Sequence, residues 1–171
     1  GAVTRVAVSK TVPLEGVREA LAAGVRVLGE NRVQEAREKI ARLPGLAAWH
    51  LVGHLQTNKA RQAVQLFDCI HSVDSVRLAE ALERHARAAD KIQRGLIEVN
   101  VGEEAQKSGA SEADVRRILE AARQLPHLRI EGLMAVPPFL ADPEDVRPFF
   151  RRLRLLRDAL RQDGFPLEAL S

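Results

Sequence analysis

The sequence predicts an α/β fold with parallel strands, of the (β/α)8 barrel type. Short apolar runs alternate with amphipathic helical stripes at roughly 25-residue spacing, which requires parallel strands and right-handed crossovers. No GxGxxG or GxxxxGKS/T follows the first apolar run, so a doubly wound nucleotide-binding sheet lacks its usual fingerprint. Polar and chemically distinctive residues collect instead at the carboxyl ends of several runs: Lys10; Glu30 and Asn31; His54, Gln56 and Asn58; Ser72 and Asp74; Asn100; Met134 and Pro137. A barrel gathers such strand ends around one mouth.

The first strand is expected over Val3 to Ser9, followed by a helix carrying Val17, Ala20, Leu21 and Gly24. Val25 to Leu28 is the second strand. Asn31 reads as the N-cap of a helix from Arg32 to Leu43, or as a residue of the mouth. Trp49 to Gly53 is the third strand, and Asn58 caps the helix through Ala60 and Val64. Cys69 to Val73 precedes the stripe Leu78, Ala79, Leu82 and Ala86. Gly95 to Asn100 precedes Val115, Ile118, Leu119, Ala122 and Leu125, a helix opened by the capping box Ser111-Glu112-Ala113-Asp114. Ile130 to Ala135 precedes the longest stripe, Val146, Phe149, Phe150, Leu153, Leu156 and Leu160; Leu167 to Ser171 begins a seventh strand. The count is about six and a half βα units of the eight in a barrel.

The 171 residues suffice for one domain with a real core, and 46% hydrophobic with 29% charged residues is ordinary globular composition. The single cysteine, Cys69, excludes an internal disulfide and a cysteine-based zinc cluster; it reads as an inert buried thiol. There is no signal peptide or long apolar span, so a cytoplasmic protein without a membrane segment is expected. The net charge is +3, with 26 basic residues interleaved among 23 acidic ones. Arg147, Arg151, Arg154 and Arg161 recur on one face of the last helix, but that basic face carries no aromatic residues interleaved for base stacking. That face is read as solvated, and no nucleic acid is expected. His50 and His71 lie in apolar strands and read as satisfied core histidines. No two histidines have helical metal spacing, so no metal is expected.

Lys10 carries the chemistry. Period-two alternation puts it on the face of Val6 and Val8, which is expected to point inward. An ammonium at the inner end of a buried strand is desolvated, which lowers its pKa toward a nucleophilic amine suited to a Schiff base. The alternative is an end-of-strand lysine that reaches solvent.

Five segments carry a resemblance: Val8-Ser9-Lys10-Thr11-Val12-Pro13, Gly29-Glu30-Asn31-Arg32-Val33-Gln34-Glu35, Trp49-His50-Leu51-Val52-Gly53-His54-Leu55-Gln56-Thr57-Asn58-Lys59, Lys107-Ser108-Gly109 and Gly132-Leu133-Met134-Ala135-Val136-Pro137. In order and spacing they resemble the YggS/PROSC family of pyridoxal-phosphate homeostasis proteins. The resemblance implies a TIM-type barrel like the amino-terminal domain of alanine racemase, one pyridoxal-phosphate-binding domain over residues 1–171. It also implies pyridoxal 5′-phosphate held as a Schiff base on Lys10, with Asn31 and Met134 as cofactor-side residues; His54, where the family more often has proline or a small residue, Asn100 and Ser171 are taken as cofactor-side from their places at the strand ends. Family members have a helix before the first strand, and they continue past the Leu170-Ser171 position through a Ser-Met-Gly-Met-Ser segment and an Arg-Ile-Gly stretch that cradle the phosphate. The amino-terminal helix and the last βα units are therefore expected to be missing here; if the sequence is complete the phosphate is expected to be held weakly, and if it is a piece of a longer protein that protein is expected to bind normally.

Three functions follow from these residues: a cofactor carrier, a racemase or decarboxylase of the same barrel class, and a class I aldolase using Lys10. A racemase needs a base on each face, and related enzymes draw a tyrosine from a further domain; this chain has no tyrosine. An aldolase needs a carboxylate or second lysine to tune Lys10, and Glu30 is the obvious candidate. The reading is a monomeric, non-catalytic carrier in vitamin B6 homeostasis, with apo pyridoxal-phosphate enzymes as acceptors.

Overall fold

The computed structural model describes residues 3–102 and 108–171. Seven parallel strands lie in sequential order: β1 (Ala7–Val8), β2 (Val27–Glu30), β3 (Ala48–Leu51), β4 (Cys69–Val73), β5 (Gln93–Glu98), β6 (Leu128–Met134) and β7 (Ala169–Leu170). Between them run α1 (Leu14–Ala22), α2 (Val33–Arg42), α3 (Ala60–Leu66), α4 (Val76–Ala88), α5 (Glu112–Ala122) and α6 (Arg147–Gln162). The strictly sequential order is that of a barrel wall and not of a doubly wound sheet, which reverses at its middle. The sheet curls, and β1 and β7 are its two edges.

Helix boundaries follow local chemistry. Ser75 and Ser111 cap α4 and α5, their hydroxyls accepting from the amides of Leu78 at 3.0 Å and Asp114 at 3.2 Å. Gly24 and Gly164, at φ 103° and 95°, stand just past α1 and α6, where the chain turns left-handed and a side chain would be strained. The ammonium of Lys91 caps α3 from outside, donating to the carbonyls of Val64 and Phe67 at 2.7 Å.

The main core lies between the convex face of the sheet and the helices. Leu28, Leu51, Ile70, Ile97 and Leu133 from the strands meet Val17, Ala36, Val64, Leu82, Ile118 and Leu153 from the helices. Each fully buried leucine or isoleucine contributes roughly 1.5–3 kcal/mol. On the concave face Cys69, Leu96 and Met134 form a small separate cluster with Ala169 against it.

The structure corrects several expectations. β1 is two residues long, because residues 3–6 find no partner strand and pair with nothing in the sheet. Asn31 and Asn58 cap no helix: α2 is preceded by Arg32 and α3 by Lys59, neither with a side-chain cap. Phe150 is exposed, whereas Phe149 packs on the core. The Glu30 carboxylate turns away from the mouth into the sheet–helix layer, where it meets Lys39 at 2.7 Å. His50 and His71 are, as expected, buried and satisfied, bonded to each other at 2.9 Å. No helix among the described residues is long and apolar enough to cross a membrane.

Candidate functional site

The carboxyl ends of the strands enclose a cavity of about 630 Å3. Lys10 comes from the turn after β1, Asn31 from the end of β2, His54 from the loop after β3, Asn100 from beyond β5, Met134 from the end of β6, and Ser171 from beyond β7. All six sequence-derived candidates thus line one space, drawn together from positions up to 161 residues apart by the sequential strand order. Lys107 lies outside the described residues.

Lys10 differs in setting from the sequence expectation. It shares the concave face with Val8, but Val8 is 50% exposed and Lys10 is exposed as well, because β1 is an edge strand. Its ammonium has no hydrogen bond or ion pair among the described residues.

What the fold controls is the backbone that carries Lys10. Ser9 is buried; its amide donates to the Gly29 carbonyl at 2.9 Å and its hydroxyl to Glu30 Oε1 at 2.6 Å. The Ser9 carbonyl accepts from both Val12 N–H and Lys39 Nζ. Thr11 adopts φ 60°, a left-handed conformation costly for a branched residue, and its amide is held by Glu35 Oε1 at 2.7 Å. Lys39 bridges Glu30 at 2.7 Å and Glu35 at 3.1 Å. Burial opposes the Lys39 charge, but hydrogen bonds to Glu30 and Glu35 outweigh it and hold its pKa above the ordinary value. The Thr11 amide, then Lys39, hold the Glu35 carboxyl below its usual range.

Glu98 is the residue that sequence reasoning missed. It is 5% exposed and lines the cavity; its Oε1 accepts from Ser108 Oγ at 3.3 Å, while Oε2 is buried without a hydrogen-bond partner among the described residues. Burial pushes its carboxyl up, against the opposing Ser108 bond. The signal was present: Glu98 stands two residues before Asn100 and so shares its face. Segment 108–110 is laid along the end of β5 by the Ala110 amide on the Glu98 carbonyl and the Asn100 amide on the Ala110 carbonyl, at 2.8 and 2.9 Å. Gly109 permits this approach, since a Cβ there would stand 2.8 Å from the Asn100 nitrogen. His54 Nδ1 lies 3.6 Å from Asp74 Oδ2 at the rim, and burial raises the Asp74 pKa against the opposing influence of His54.

Comparison with known proteins places this architecture. Residues 4–171 match the family described as alanine racemase, N-terminal domain. The pyridoxal phosphate homeostasis protein of Aquifex aeolicus is 44% identical over 156 residues, covering 91% of this chain and 68% of that protein. The chain belongs to the pyridoxal phosphate homeostasis branch of the alanine racemase N-terminal domain family. The homeostasis protein of Escherichia coli K12 is 39% identical over 151 residues, covering 86% of this chain and 64% of the relative. The chain spans about two thirds of the length of these curated relatives. Among solved structures, PipY of Synechococcus elongatus superimposes with a TM-score of 0.92 at 41% identity, covering 98% of this chain and 80% of PipY. PipY with PLP bound gives 0.89 at 40% identity with the same coverage. Alanine racemase of Clostridium difficile, 14% identical with a TM-score of 0.80, shares the fold.

Proposed function

We propose that this chain binds pyridoxal 5′-phosphate in the cavity at the strand ends and serves vitamin B6 homeostasis as a carrier, without substrate turnover. The observation that carries the reading is the unpartnered Lys10 amine on a cavity shared with Asn31, His54, Asn100, Met134 and Ser171. The naming of its relatives and the PLP-bound PipY support it.

The residues present fit the pyridoxal part of the group. About 630 Å3 lies within the range, on the order of 300–1,000 Å3, that takes small-molecule ligands. The orphaned Glu98 Oε2 offers an acceptor to a ligand donor. Bound there, the cofactor supplies an aldehyde that condenses reversibly with a primary amine, with loss of water. Lys10 provides that amine from a turn held by Ser9, Glu35 and Lys39. Val8 and Met134 offer apolar wall; Asn31, Asn100 and Ser171 offer amide and hydroxyl groups that orient polar substituents. Glu98, with its pKa raised, can hold a proton or accept one at Oε2. In this reading the seven-stranded sheet is the greater part of a (β/α)8 barrel, and the protein works as a cytoplasmic monomer.

The test is titration with pyridoxal phosphate, borohydride reduction and peptide mapping. The expected result is one reduced adduct on Lys10, and loss of the visible imine band in Lys10→Ala. A band that persists in Lys10→Ala assigns the chemistry to another amine. Racemisation of alanine or decarboxylation of ornithine at ordinary enzyme rates, about 1 to 1,000 per second, overturns the carrier reading.

A further inference from the structure

The concave face holds a second cavity, of about 640 Å3, toward the amino ends of the strands. His50, Cys69, His71, Arg94, Glu131 and Ser171 are among its lining residues. Cys69 and His71 stand two apart on β4 and share a face, and parallel pairing sets His50 of β3 beside Cys69. All three side chains are buried, and one donor atom from each, two imidazole nitrogens and the sulfur, lies within 4.8 Å of the others.

We propose that His50, Cys69 and His71 form a binding site for a borderline-soft divalent cation of the zinc type. Two imidazoles and one thiolate bind it, with the fourth position open to water from the cavity. The donor set is the first support: imidazole and thiolate select zinc-like ions, whereas magnesium and calcium take oxygen ligands. Helical spacing was the wrong template for these ligands, because neighbouring parallel strands supply them.

Geometry is the second support. Zinc bonds of about 2.0–2.1 Å to nitrogen and 2.3 Å to sulfur put tetrahedral ligand atoms roughly 3.3–3.6 Å apart. His50 Nδ1 and His71 Nε2 are 2.9 Å apart, so the pair needs to open by only about 0.5 Å to reach that spacing. His71 Nδ1 lies 3.0 Å from Ser171 Oγ. With Nδ1–H donating to that hydroxyl, the lone pair of Nε2 points to His50, the orienting device usual for metal-bound histidine.

Binding takes both imidazoles neutral and the sulfur as thiolate, so it replaces the S–H bond by an S–metal bond and releases that proton to solvent; the His50 proton moves to its other ring nitrogen. Arg94 is nearby, but it is paired with Glu131 at 2.9 Å, which offsets its charge.

The test titrates the 171-residue chain with Co2+ and then displaces it with Zn2+. The expected result is one Co2+ per chain, with a thiolate-to-cobalt charge-transfer band and tetrahedral d–d intensity, both removed by one equivalent of Zn2+. Calorimetry of Zn2+ binding in two buffers at pH 7 should show about one proton released. Cys69→Ser loses the band and the proton release, His71→Ala loses tenfold or more in affinity, and His85→Ala on α4 changes neither. Circular dichroism verifies the fold, and Cys69→Ala replaces Cys69→Ser if the hydroxyl is not tolerated. Absence of saturable binding, binding without the charge-transfer band, or a band that survives in the Cys69 variants overturns the proposal.

Discussion

Replacing Lys39 by methionine should unlatch the turn that carries Lys10. Methionine keeps most of the stem volume and removes the ammonium, which bridges Glu30, Glu35 and the Ser9 carbonyl. Glu30 is fully buried, so its carboxylate is left with the Ser9 hydroxyl alone. Breaking a buried pair from one side costs roughly 3–5 kcal/mol, because the partner charge remains uncompensated. At about 2–4 °C per kcal/mol for a chain of this size, the midpoint of thermal unfolding should fall by roughly 6–20 °C. Removing both charges in Glu30→Gln/Lys39→Met should recover much of that loss. The pH dependence has a definite sign. Glu35 sits below its usual range, so its share of stability is complete above about pH 4.3 and is lost as pH falls through the lowered pKa. Lys39 sits above its usual value, so its share is complete below about pH 10.4 and is lost as pH rises through the raised pKa. The Lys39→Met penalty should therefore be flat between those limits and shrink outside them. Urea unfolding across pH measures it. A penalty below about 1 kcal/mol at pH 7, or a double variant no better than the single one, refutes the argument that this buried cluster holds the turn.

Lys10→Ala should leave stability within about 0.5 kcal/mol of the parent while removing the imine band, since the side chain is exposed and unpartnered; a large loss of stability would show an unrecognised structural role. His71, lowered to about 4 in the folded state, contributes stability above about pH 6.5 that is lost as pH falls through 4. This amounts to on the order of 3 kcal/mol, and His71→Gln should flatten the acid limb of the stability profile; an unchanged slope would contradict it. Glu98 has a raised pKa, so its contribution is complete below about pH 4.3 and is lost as pH rises through the folded value; Glu98→Gln should raise the urea midpoint at pH 7. Gly132→Ala would drive a Cβ into the Ala169 carbonyl, so it should displace β7 at a cost of about 1–3 kcal/mol and speed hydrogen exchange at Ser171; unchanged exchange would disprove that close approach.

The sequence by itself determined the parallel alternation of strands and helices, the helix faces, and the family. Period-two and period-3.6 patterns are local, and the motifs survive as short contiguous strings. β4 is found where the pattern put it, at Cys69–Val73, because a buried central strand is marked on every residue. The edge strand β1 is not, because pairing and not composition decides where an edge strand begins. Tertiary structure alone decided the electrostatics of the site. Lys10 is exposed and without a partner among the described residues where alternation predicted a desolvated amine, since its burial depended on neighbours across the sheet. Glu30 serves the latch and Glu98 the cavity, because the face that a strand-end side chain takes depends on where the sheet curls. His50, Cys69 and His71 meet only through the register of β3 on β4, a distance that no spacing along the chain encodes.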